Sequence, residues 1–145
     1  MISQAPGAIV HRTGIPWDDK SGANLRAWMN VSDDVFYDPK QIALLPMGFC
    51  YPGKGTSGDL PLRKECVPLW HDLILEHMKE VQLILLIRGY AQGYYLPENK
   101  EKTLTETVKN TRTISQNILC YLILRHEIIF GSQKTSGSKQ MCFQN

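Results

Sequence analysis

Val81-Gln82-Leu83-Ile84-Leu85-Leu86-Ile87-Arg88-Gly89 is the stretch that decides the class of fold. Its run of apolar residues is too short for an independent helix and rich in β-branched side chains, which is the pattern of a strand buried on both faces of a parallel sheet. Upstream, Leu69, Leu73, Ile74, His77 and Met78 recur at helical spacing. Downstream, Gly89 turns the chain into a second helix that carries Ala91, Tyr94 and Tyr95. Helix, strand and helix in this order make a crossover unit, so the expected class is α/β with a parallel sheet.

Further toward the N-terminus, Met1-Ile2-Ser3-Gln4 has the character of a strand end that breaks at the turn Ala5-Pro6-Gly7. Ser21, after Asp18 and Asp19, is the expected N-cap of an amphipathic helix whose apolar positions are Leu25, Trp28 and Met29. A short helical turn is expected from Ser32, and a strand at Ile42-Ala43-Leu44-Leu45. The Pro-, Gly- and Ser-rich stretch from Pro46 to Pro61 follows, long enough to expect a functional loop. A polar helix is expected from Thr103 to about Asn110. Beyond it the character changes: Ile118 to Phe130 is apolar without clear turn chemistry, and Gly131 to Asn145 is polar and irregular.

The 145 residues, 43% of them hydrophobic and 21% charged, suit one ordinary domain. A net charge of +2 neither announces nor excludes a nucleic-acid partner, because a local basic channel fits within a nearly neutral total. The cysteines at 50, 66, 120 and 142 follow no secretory leader, and no apolar run is long enough to cross a bilayer. A cytoplasmic protein without membrane contact is therefore expected, in which cysteines serve as metal ligands or buried residues rather than disulfides.

Three groups of residues carry chemistry. Gln4-Ala5-Pro6-Gly7 at a strand end, Gly14-Ile15-Pro16-Trp17, and Ser21-Gly22 opening a helix either form two tight turns or let backbone approach a planar ligand at the end of an open sheet. In the second case Trp17 can stack on a base. Cys50-Tyr51-Pro52-Gly53 and, fifteen residues further on, Cys66 at a helix head are two thiols in search of a role. Gly48 and Gly53-Lys54 have the spacing of a phosphate-binding loop, but Gly55 replaces the hydroxyl residue, Pro52 interrupts the amide cradle and no helix follows directly.

Together these motifs resemble those of uracil-DNA glycosylases of the iron–sulfur (family 4-like) class, in matching order over roughly residues 1–110. The resemblance implies a three-layer α/β/α fold around a central parallel sheet, incomplete here, and an ancestral role hydrolysing the N-glycosidic bond of uracil in DNA during base excision repair. It implies that the loop of Gln4, Ala5, Pro6 and Gly7 positions the hydrolytic water and holds the base, that Trp17 stacks on the flipped uracil, and that DNA with uracil or a related deaminated base is the partner of a monomer. Cys50 and Cys66 match two of the four ligands of the family's [4Fe–4S] cluster, whereas the upstream Cys-x-x-Cys has no counterpart, so the cluster is expected to be absent or incomplete.

Two departures lie inside the motifs: Gln4 replaces an acidic residue, and Arg88 in Leu85-Leu86-Ile87-Arg88-Gly89-Tyr90-Ala91-Gln92 stands where the family has Gly. The family's closing His-Pro-Ser-Pro motif is missing, and the late His126 has no prolines beside it. Shifting the reading frame so that each codon starts on the third base of the previous one lets Leu122 through Ile128 encode His-Pro-Ser-Pro-Arg-Asn, and lets Ser136 to Lys139 encode Trp-Phe-Glu. The expectation is a partial glycosylase-like domain over 1–110, shortened at its start, and an out-of-frame tail over 111–145. A copy impaired in catalysis, or a non-catalytic remnant that binds nucleobase or DNA, follows from that expectation. A nucleotide-phosphate binder built on Lys54 is the weakest alternative.

Overall fold

In the computed structural model, residues 1–97, 103, 106, 118–123, 128–130 and 133–134 are described. The elements in chain order are β1 (Ile2–Ser3), α1 (Ala8–Thr13), α2 (Lys20–Met29), α3 (Asp33–Phe36), β2 (Leu45–Pro46), the hairpin of β3 (Lys54–Gly55) and β4 (Gly58–Asp59), and α4 (Cys66–Glu76). After them come β5 (Ile84–Ile87), α5 (Arg88–Tyr95), β6 (Ile118–Ile123), β7 (Ile128–Phe130) and β8 (Gln133–Lys134). The main sheet has the order β2-β1-β5-β6-β7-β8, in which β2, β1, β5 and β6 run parallel and the last two strands pair antiparallel. No helix of the described residues is long and apolar enough to cross a membrane.

Strand β5 divides its side chains between two cores, because successive residues of a strand point to opposite faces. Leu86 packs with Ile2, Met47, Val67 and Ala91, and so faces α4 and α5. Leu85 and Ile87 pack with Leu25 and Phe36 from α2 and α3. Helices thus cover both faces of the sheet, and the α/β class expected from the Val81 to Ile87 run holds.

Several boundaries move for physical reasons. The cap of α2 is Asp19 rather than Ser21: its Oδ1 accepts the Gly22 amide at 2.8 Å. Ser32 does cap α3, accepting from the Val35 amide. The strand expected at 42–45 forms at Leu45–Pro46, set by amides that donate across the sheet, Leu45 N to Met1 O at 2.9 Å and Met47 N to Ser3 O at 2.7 Å. Pro46 offers no amide, which suits the edge position of β2. In addition, α1 forms between the two Gly-Pro motifs, where turns alone were expected, and ends on Gly14 at φ +73°. Of the helix expected over Thr103 to Asn110 only Thr103 and Glu106 are described; they bond reciprocally, Glu106 N to Thr103 Oγ1 and Thr103 N to the Glu106 carboxylate, as in a capping box.

Helix α4 presents a different face from the one its spacing suggested. Leu69 and Leu73 are 62% and 54% exposed, whereas Val67 and His71 are buried and Ile74 and Leu75 pack partly beside them. The helix is apolar on more than one stripe, and the stripe that wins contains a histidine with a full set of partners. His71 Nε2 faces the Pro46 carbonyl at 3.0 Å, and Nδ1 faces the Tyr95 hydroxyl. Burial, with lesser contributions from Tyr94 and Asp72, pushes the Tyr95 hydroxyl up to about 12, so it remains a donor to Nδ1. His71 therefore ties α4 and α5 to the end of β2. Truncating it to Ala should cost about 3 kcal/mol, from the cavity and from two polar groups left unmatched. Urea unfolding measures this, and a loss below about 1 kcal/mol would remove His71 from the account.

Candidate functional site

The Gln4 to Gly7 loop leaves β1 at its C-terminal end, and Arg88 leaves the neighbouring β5 at the same end of the sheet. Ligands of open parallel sheets bind outside these carboxyl ends. Here a cleft of about 300 Å³ opens, lined by Gln4, Ala5, Pro6, Gly7, Trp17 and Arg88 among others. The structure thus brings the two Gly-Pro motifs and the end of β5, up to 84 residues apart in the chain, to one place.

Trp17 is held there by its backbone. Its φ is +60°, a left-handed conformation that a non-glycine residue adopts at a cost. Three contacts keep it. Gly22 carries no Cβ, and one placed there would lie 1.8 Å from the Trp17 carbonyl oxygen. Arg26 Nη1 donates to that same oxygen at 3.2 Å, and the Tyr37 hydroxyl donates to Pro16 O at 2.9 Å. Arg26 is fixed in turn by Asp33, at 2.6 Å, and by the rings of Phe36 and Tyr37. Desolvation, opposed mainly by the Arg26 charge, raises the Tyr37 hydroxyl above the ordinary tyrosine range, which keeps it a donor. Sequence reading singled out Gly22 and Trp17; it gave no role to Arg26 or Tyr37, because their contacts depend on how α2 and α3 pack.

Arg88 occupies the turn from β5 into α5 with φ +71°. A glycine takes this conformation without penalty, whereas an arginine is strained in it. Its Nη1 reaches back to Gln4 Oε1, a long bond of 3.4 Å. The Gln4 amide oxygen is thereby turned toward a cation.

Cys50 is exposed, and Cys66 is half-buried at the first position of α4; both are free thiols. A [4Fe–4S] cluster takes four thiolates. Among the described residues no group of three or more His, Cys, Asp or Glu side chains converges on a metal position. The Lys54 loop is unsuited to phosphate: Lys54 opens the strand β3 of a hairpin rather than a helix.

Sequence comparison agrees with this geometry. The family model of the uracil DNA glycosylase superfamily matches residues 1–139, nearly the whole chain and well past the 1–110 span of the recognisable motifs. The chain belongs to the uracil DNA glycosylase superfamily.

Proposed function

We propose that this chain takes a uracil flipped out of DNA into the cleft between the Gln4 to Gly7 loop and Trp17, and hydrolyses its N-glycosidic bond slowly. The observation that carries the reading is the convergence of both loop motifs on one cleft at the carboxyl ends of β1 and β5, in a chain of this superfamily. Trp17 offers a ring face for stacking, and the backbone around Pro6 and Gly7 allows a planar base to approach closely. Gln4 is neutral and its oxygen is engaged, so it orients water poorly and lends no negative charge to an oxocarbenium-like sugar. A base-binding protein without cleavage is the second reading, favoured by the Arg88 contact to Gln4.

The test is release of uracil from a labelled single-stranded oligonucleotide, with binding measured alongside. Slow release supports the first reading, binding without release supports the second, and neither overturns both. Trp17→Ala should weaken binding of the uracil oligonucleotide by about ten- to a hundredfold, the range of one base–aromatic stack. Equal affinity of the two proteins would remove Trp17 from the site.

Kinship with the iron–sulfur class belongs to the same proposal. Its support is the placement of Cys66 at the head of α4 and of Cys50 in the preceding loop, together with the motif order. So does the division at residue 110 with an out-of-frame tail, for which resequencing the genomic DNA across codons 105–145 is decisive.

A further inference from the structure

Two carboxylates line the cleft, Asp19 and Asp59. The first is committed to capping α2, its Oδ1 accepting from the Gly22 amide. Asp59 is the last residue of β4, and the hairpin brings it to the cleft that Trp17 also lines. It lines both the compartment that holds Trp17 and an adjoining outer compartment, which also contains Gln4, Pro6 and Arg88. The Tyr51 hydroxyl donates to Asp59 Oδ1 at 2.9 Å, which fixes the carboxylate. Among the described residues nothing bonds to Oδ2. Leu60 N donates to Gly53 O at 2.8 Å and closes the base of the hairpin, so the carboxylate stands on a braced turn.

We propose that Asp59 is a catalytic residue of this chain, supplying the negative charge that Gln4 lacks. The inference rests on the glycosylase reading. In the step it serves, a water oxygen forms a bond to C1′ of the sugar, the bond from C1′ to the base nitrogen breaks with its electron pair leaving on the base, and Asp59 takes the proton from the water. The base anion is protonated by solvent. Before the proton moves, the ionised carboxylate also faces the positive charge that develops at C1′, where electrostatic stabilisation is most effective.

The experiment is uracil release from a single-stranded oligonucleotide by the full chain, with kcat and Kd for the native protein, Asp59→Asn and Asp59→Glu. Asp59→Asn is expected to lower kcat about a hundredfold, as for loss of a general base, with Kd changed less than about twofold. Asp59→Glu should recover part of the rate that Asp59→Asn loses. Matching thermal transitions exclude misfolding as the cause. A native protein that releases uracil and an asparagine variant that does so equally fast would overturn the role of Asp59 and leave the glycosylase reading standing. If the native protein releases none, both fall.

Discussion

Replacing Gly22 with Ala is expected to lower the unfolding free energy by about 3 kcal/mol, the upper range for forcing a group into packed structure, and to weaken binding of the uracil oligonucleotide by about ten- to a hundredfold, as loss of the Trp17 ring does. The new Cβ would sit 1.8 Å from Trp17 O, 2.7 Å from Trp17 C and 2.9 Å from Trp17 Cβ. Two of these atoms are backbone, so no rotamer change relieves the clash. Either the first turn of α2 moves, which breaks the Asp19 cap, or the Trp17 loop moves, which breaks the Arg26 bond and displaces the ring from the cleft. Urea denaturation and fluorescence anisotropy check the two parts. A variant with native stability and affinity would show that the close approach of α2 to Trp17 does not position the ring.

The second large effect has the opposite sign. Arg88→Gly should raise stability by about 1 kcal/mol, because it removes a left-handed conformation from a residue with a Cβ, and should raise the rate of uracil release at least about tenfold. The rate gain follows from freeing Gln4 Oε1 for water. Arg88→Ala separates the causes, since it removes the guanidinium but keeps φ at +71° occupied by an L-residue. It should share the gain in rate and not the gain in stability. If both variants leave the rate unchanged, the contact of Arg88 with Gln4 does not restrain the site.

The strand Ile84–Ile87 was legible because burial on both faces leaves no room for polar residues, and the position of its neighbours followed from chain connectivity. The two Gly-Pro motifs were legible for a different reason: turn chemistry is local, so Pro6, Gly7 and Gly14 announce themselves wherever they stand. What was not legible depends on contacts between distant segments. The buried face of α4 was decided by partners for His71 that come from β2 and α5, and a hydropathy pattern contains neither. Asp59 read as one polar residue in a Gly-rich loop, and only the fold of the hairpin carries it to the cleft. At Arg88 the sequence showed a departure from the glycine of the resembling family, and the strain became visible only with the φ of +71°.

Strand β1, Ile2–Ser3, holds together the edge strand β2 on one side and β5 on the other. The Gln4 loop begins at the next residue. Separation of β1 from its neighbours and dissolution of the site are consequently one event. Ligand occupancy and sheet integrity are linked through these two residues: a ligand held against Gln4 to Gly7 would also clamp the sheet and so add to the cohesion of the protein that binds it.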